Sequence, residues 1–568
     1  MAEIVLPFPV GGVVRVGGAE AQAEQTCYNA LNVRPIDSIA GRMRGGGRPG
    51  MEKVFPNTTG SEIWMLNTCR FLEDQHNKSK LIWSSGGQIF METDDGEDYE
   101  LIISSPTLSR FNPICSVERA GKLYIANSGR SPSGNWVTIG NTAAGGGHVT
   151  LSPRTTGTWT THVQLDYNSH SVARSSSAEV TARLAYDGVP LVLDPAARTL
   201  TNLTASAGTV PTGCSICVLY RDRLVLAGDY LNPQQWYMSA SGDPTNWDFA
   251  LQTATAPVSG TTSRAGMIAD PVTALAPHSD LCMIMASRTT LWILRGDPVK
   301  GSLDNISFDI GIISQNAWCH TADGWMCFLS ADGVYVMPNQ CSQSQPERLS
   351  RLKIPEELID VDPTMYAVSM AYDIRDVGVH LWLTSLVEGL ASQHWWIDWQ
   401  NKSFWPVEVP LEKQPTAICQ RRDRPDLASS VTLGCADGYI RRHNHEVTDD
   451  DGDDLTSYVY FTPMAMTGTD EMILRTISAK LAQGTADIAW SLHTGGTVEE
   501  ALASNARRSG VWSTNGGTEL NKRPTRFKIQ GAAIVLKLAP VTVNTRWAIE
   551  QVTVDVEKIP CGSGGCKQ

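Results

Sequence analysis

Between Ser61 and Asn444 one pattern recurs: a short apolar run, a tight turn of Asp, Gly or Ser, and a second apolar run. Lys80 to Thr93 (KLIWSSGGQIFMET) turns at Gly86-Gly87, Gly324 to Pro338 (GWMCFLSADGVYVMP) at Asp332-Gly333, and Ser430 to Asn444 at Asp437-Gly438. Gly-Gly and Asp-Gly supply the positive φ angles that a two-residue hairpin turn needs. Gly121 to Gly140, Arg221 to Ala240, Asp280 to Gly296 and Val379 to Val407 repeat the unit with longer loops. A lone hairpin of this size leaves both apolar faces in water, so such units must stack. Radial stacking into a β-propeller buries the faces and shields the strand edges. The spacing is uneven against the ~40–50 residues of tight propeller repeats, which makes the repeat degenerate. The expected fold class is all-β.

Two stretches depart from the pattern. From Asn141 to about Val210 the chain is rich in Gly, Ser and Thr yet still alternates, as expected of a small β subdomain inserted between blades. After Ser457, segments such as Asn544 to Lys558 alternate with period two, and a C-terminal β-sandwich is expected over 458–560. Between propeller (56–447) and sandwich, Glu446 to Ser457 carries five Asp in six positions and reads as a hydrated acidic linker (448–457). Residues 1–55 read as an N-terminal arm whose most biased part is GRMRGGGRPG, Gly41 to Gly50. That stretch lacks the side chains to pack a core by itself, and its glycines fit neither phosphate-binding spacing. Residues 561–568 are left as a tail.

The chain carries 46 Lys plus Arg against 59 Asp plus Glu, a formal charge of −13, which argues against a protein built to grip phosphate backbones. The N-terminus lacks a secretory pattern, and no segment approaches the ~20 apolar residues of a membrane span, so synthesis and residence in a cytoplasm are expected. Thirteen cysteines, an odd number, read as mostly reduced buried thiols. Cys214/Cys217 and Cys561/Cys566 are close pairs without a second pair at zinc spacing.

The sequence contains no G-x-S-x-G elbow, H-E-x-x-H helix or Walker loop. No cofactor, metal or catalytic set is expected. Asp449, Asp451 and Asp453 are the weak metal candidates, although Gly452 is misplaced for a calcium loop. Ser491 and His493 lie two apart on a strand-like run with no orienting acid in view, and chance accounts for the pairing better than a triad. Glycosidases need only two carboxylates placed by the fold, and Asp222, Asp229, Asp243 and Asp248 would be the ones to consider. Asp243 precedes Pro244 in a turn sequence, and Asp222 lies between two arginines, so structural roles are favoured for them. Trp395, Trp396, Trp399 and Trp405 read as blade core rather than a sugar-stacking platform.

The run YRDRLVLAG followed by NPQQWYMSASGDPTNWDF, Tyr220 to Phe249, resembles a signature of tail nozzle or tail-tube-end proteins (tail tubular protein B-like) of short-tailed bacteriophages. Thr289 to Met337 is similar to their next blades, Asn32 to Gly50 to their N-terminal arm, and the Trp547 segment to their closing sandwich. The resemblance implies a virion structural protein, not an enzyme. It would assemble in the host cytoplasm as a homo-oligomeric ring, a hexamer, against the adaptor or head–tail connector and the tail fibre or needle proteins. It would retain packaged DNA and provide the channel for its ejection, with no stable membrane insertion. Arg42, Arg44 and Arg48 would then suit contacts to a neighbouring subunit or the adaptor, since guanidinium makes several geometrically specific bonds. Two other readings stay open: a carbohydrate-binding or carbohydrate-cleaving propeller, such as a virion depolymerase, and a non-enzymatic propeller interaction hub.

Overall fold

The computed structural model describes residues 2–559 except 74–75, 105–107, 109–112, 127–135, 140–163, 166–179, 184–187, 230, 252, 339–344, 422–429 and 467–469. Seven four-stranded antiparallel sheets form the blades of a β-propeller. Their innermost strands are Ile63–Glu73, Ser116–Arg119, Ile216–Tyr220, Ala274–Ser279, Trp318–His320, Tyr366–Asp373 and Pro415–Gln420. Most of the hairpins read from the sequence become the second and third strands of a blade, as in His76–Ser85 with Gln88–Glu92 and Met326–Ser330 with Gly333–Met337.

Blade strands are apolar runs for a reason of packing. Each blade is covered on both faces by its neighbours, so Gly378–Ser385 is buried at all but its last residue. Distinct apolar layers separate adjacent blades: Met65, Ile82 and Leu123 between the first and second, Tyr220, Val225 and Met283 between the third and fourth, and Phe55, Trp83 and Ala417 between the seventh and first. Strands of the sandwich instead alternate, as in Ile549–Ile559, because one face of each sheet meets solvent.

The N-terminal segment is not an arm. Ala2–Leu6 pairs with Ile549–Ile559 in one sandwich sheet, and Ala30–Leu31 pairs with Tyr458–Tyr460 in the other. Val33–Ile36 and Met43–Gly47 then form a hairpin, and Gly50–Lys53 pairs with Ile440–Asn444 as the outermost strand of the seventh blade. The propeller is therefore closed by a strand from the opposite end of the chain, which covers the edge of Ile440–Asn444. The sandwich packs Ala2–Leu6, Ile549–Ile559, Glu471–Leu481 and Asn521–Gly531 against a sheet containing Tyr458–Tyr460, Ala533–Pro540, Ile488–Gly495 and Arg508–Trp512.

The inserted β subdomain interrupts the second blade rather than lying between blades. Its strands Trp136–Ile139, Gln164–Leu165 and Val180–Arg183 form a three-stranded sheet, after which Leu191–Asp194 and Thr199–Asn202 complete the blade. Lys122–Ile125 and Leu191–Asp194 pair in register despite the long excursion, since closing a loop costs little more as it lengthens.

Candidate functional site

Two places combine function-bearing residues with unusual geometry: the propeller axis and the junction between propeller and sandwich. All seven innermost strands or the loops leading into them bound an axial cavity of about 460 Å³, with Trp64, Met65, Trp318 and Met370 on its wall. Among the described residues, no charged side chain lines it. Its amides are engaged in joining blades. Gln315 accepts from the Leu275 N–H at 2.8 Å and donates to the Leu275 carbonyl at 3.0 Å, copying a ladder pair between the fourth and fifth blades. Asn67 donates to the Ser116 carbonyl and Gln420 to that of Tyr372, at 3.1 and 2.7 Å. Cys115 and Cys217 face one another across the second and third blades with sulfurs 3.8 Å apart.

The junction is built by GRMRGGGRPG. Gly46 lies so close to the Trp547 carbonyl oxygen that a Cβ would come within 2.2 Å of it, and Gly50 stands equally close to the Asp449 carbonyl. The glycines thus permit backbone contact between the hairpin, the sandwich and the segment joining the two units. That contact brings the arginines to carboxylates far along the chain. Arg48 is fully buried and pairs with Asp450 through both nitrogens, at 2.9 and 2.5 Å, while donating to Asn32 and to the Glu408 carbonyl. Arg44 bridges Asp37 (3.0 Å) and Glu550 of the sandwich. Arg34 pairs with Asp376 and lies 3.9 Å over the Trp396 ring. Burial pulls the Arg34 pKa down against the raising effect of Asp376. Asp376 also accepts from His445 at 2.7 Å.

These contacts correct two expectations. Arg44 and Arg48 do not face outward for a neighbouring subunit, because their guanidinium groups are enclosed and neutralised within the chain. Arg42 alone of the three is exposed. The acidic segment is likewise not a solvated linker: Asp450 is buried, Asp451 pairs with Arg441 at 2.8 Å, and Asp453 with Lys413 at 2.7 Å. Asp449 accepts from the Gly452 N–H. Among the described residues, no cluster of three or more His, Cys, Asp or Glu is arranged to hold a metal ion, Asp449, Asp451 and Asp453 included.

The carboxylates of the third blade are apart in role. Asp222 pairs with Arg119 of the second blade at 2.9 Å rather than with its sequence neighbours, whose guanidinium groups reach backbone carbonyls. Asp229 is buried and accepts from Leu231, Asn232 and Tyr237. Asp243 closes a turn onto Thr245, whose hydroxyl lowers its pKa, and Asp248 accepts from Ala250. Trp395, Trp396, Trp399 and Trp405 are all buried, so none offers a ring face to a sugar. Cys214 and Cys217 are free, buried thiols, and Cys561 and Cys566 lie outside the described residues. Asp37, Asp376 and Asp450 were not singled out in the sequence. Nothing local tells that Asp376, or one member of the acidic run, Asp450, will be needed by an arginine hundreds of residues away.

No family model and no curated protein matches the chain. Among solved structures, it is similar to YCF48 bound to D1 peptide at 9% identity and TM-score 0.37, covering 70% of this chain and 97% of that one. YCF48 from Cyanidioschyzon merolae matches at 12% identity and TM-score 0.34, covering 70% and 99%. An extracellular domain of a hybrid two component system from B. thetaiotaomicron matches at 11% identity and TM-score 0.37, covering 92% of this chain and 58% of that chain. The propeller itself is established by the seven sheets and the strand that closes them.

Proposed function

We propose that the chain is a structural protein of a short-tailed phage tail, a nozzle subunit that assembles as a ring and lines the path of DNA. The observation that carries this reading is the interlocking of the two units. One N-terminal segment supplies strands to both sandwich sheets and to the seventh blade, and buried pairs such as Arg48–Asp450 hold it there. A subunit of this kind transmits load between its propeller and sandwich as one body, as the wall of a pressurised conduit must. The resemblance of Tyr220 to Phe249 and Asn32 to Gly50 to nozzle proteins supports the same reading.

The axial cavity constrains where DNA would run. About 460 Å³ walled by Trp64, Met65 and Trp318 does not admit a duplex whose major groove alone is ~12 Å wide. In this reading the conduit is the opening between copies, and each propeller is a block in its wall. The net charge of −13 fits a surface along which DNA slides without being held.

Electron microscopy of the purified protein, alone and with the tail adaptor, tests the proposal. Rings with a central opening wider than a duplex are expected, at least with adaptor present. Dispersed monomers under both conditions would overturn it.

A further inference from the structure

Ser491 and His493 occupy alternate positions of the strand Ile488–Gly495, so their side chains share its outer face. The sequence shows no acid to orient the imidazole, but the fold supplies another acceptor. His493 Nδ1 lies 2.8 Å from the Ser504 carbonyl oxygen, and Nε2 lies 3.0 Å from Ser491 Oγ. A carbonyl only accepts, so Nδ1 carries the proton and donates it. Nε2 is left with its lone pair, and the Ser491 hydroxyl donates to it. This is the tautomer and orientation in which histidine removes a proton from serine.

The orienting carbonyl is itself held in place. Ser504 caps the helix Val498–Ala503, whose Val498 and Ala501 pack on Ala533 and Val535 of the adjacent strand. Across the ladder Ser491 faces Lys537 on one side and Ser509 on the other. The Lys537 ammonium lies 4.4 Å over the Tyr458 ring and 5.3 Å over Tyr460, and burial lowers its pKa. His493 is buried, while Ser491 remains partly open to solvent. A serine, its base and the orienter of that base therefore meet on one sheet face, while the Lys537 ammonium sits over the tyrosine rings of the strand beyond.

We infer that Ser491 is a nucleophile toward short-chain acyl esters, with His493 as its general base. Ser491 Oγ bonds to the ester carbonyl carbon as its proton passes to His493 Nε2 and the carbonyl π pair moves onto oxygen. Collapse of the adduct breaks the bond to the alcohol, which leaves with the proton from His493. Water, deprotonated by the same nitrogen, then releases the acid and restores the hydroxyl. Ester and water are the only reactants. The dyad lies on the outer face of the sheet, one strand from its edge Arg508–Trp512. A small acyl group projecting from a larger alcohol therefore suits it better than a long acyl chain that must be enclosed.

The test treats the full chain with an alkyl fluorophosphonate and follows p-nitrophenyl acetate hydrolysis, locating adducts by peptide mass spectrometry. Label on Ser491 is expected, with none on that peptide in Ser491→Ala and labelling slowed about 10²–10⁴-fold in His493→Gln. Far-UV circular dichroism checks that each variant is folded. Should His493→Gln unfold, an acetyl group on Ser491 after acid quench of the wild-type reaction is the independent expected result. An unlabelled Ser491, label spread over other residues, or equal rates in wild type and folded His493→Gln would overturn the inference.

Discussion

Arg48 and Asp450 stand 402 positions apart in the chain and meet as a two-pronged ion pair with side chains no more than 1% exposed. Neither charge has access to water, so each depends on the other for compensation. Arg48→Ala or Asp450→Ala is expected to cost about 3–5 kcal/mol, because the partner is left buried and unpaired. Arg48→Ala combined with Asp450→Ala should cost less than the sum of the single changes. Urea unfolding midpoints of the three variants check the ordering, and additive effects would show that the pair is not coupled.

Gly46→Ala and Gly50→Ala should each destabilise by about 1–3 kcal/mol, since the new methyl meets a fixed carbonyl oxygen rather than a side chain that can turn away. Gly17, with nothing within 4 Å of a built Cβ, is the control, and Gly17→Ala should leave the melting temperature unchanged or slightly raised. Thermal melting of the three single variants distinguishes close contact from generic glycine loss.

Deleting residues 1–53 removes the strand that closes the seventh blade and a strand from each sandwich sheet. Both units are expected to open, not the sandwich alone. Limited proteolysis should then cut the deleted chain within Pro415–Gln420 and Val431–Cys435, and the full chain should resist cleavage at both. Protection of those strands in the deleted chain would show that the closing strand is dispensable.

Three buried histidines make the protein sensitive to acid. His380, His394 and His443 lie in the sixth and seventh blades, with His380 and His443 stacked at 5.1 Å and His394 against Trp382 at 4.6 Å. Burial lowers the pKa of each, that of His394 to about 3 from 6.5. The unfolded chain thus binds protons that the folded one refuses. The stability contribution of neutral His394 is complete above pH 6.5 and declines as pH falls from there toward 3, by about 2 kcal/mol at pH 5. Urea midpoints at pH 7 and pH 5 should drop for wild type and drop less for His394→Phe.

Calcium and chelators should leave the melting temperature where it is. Asp450, Asp451 and Asp453 already have Arg48, Arg441 and Lys413 as counter-charges. Differential scanning calorimetry with millimolar calcium and with EDTA checks this, and a rise of several degrees with calcium would reveal a site.

The β hairpins were legible along the chain because their signals are local: Gly86-Gly87 or Asp332-Gly333 sets a turn, and apolar runs on either side set two strands. The change from continuous runs to alternation after Ser457 marked the sandwich by the same means, since covering one sheet face or two is written into strand periodicity. Blade core positions such as Trp396 and Trp405 followed from that. What Gly41 to Gly50 does was not legible. Glycine and arginine in water make a loop, and only when Trp547, Asp450 and Glu550 arrive does the same segment become a buried clasp. The partner of Asp222, the strand that closes the ring and the carbonyl that orients His493 belong to the same class. Each is a contact between residues whose separation along the chain carries no periodic or compositional trace, so the tertiary structure alone decided it.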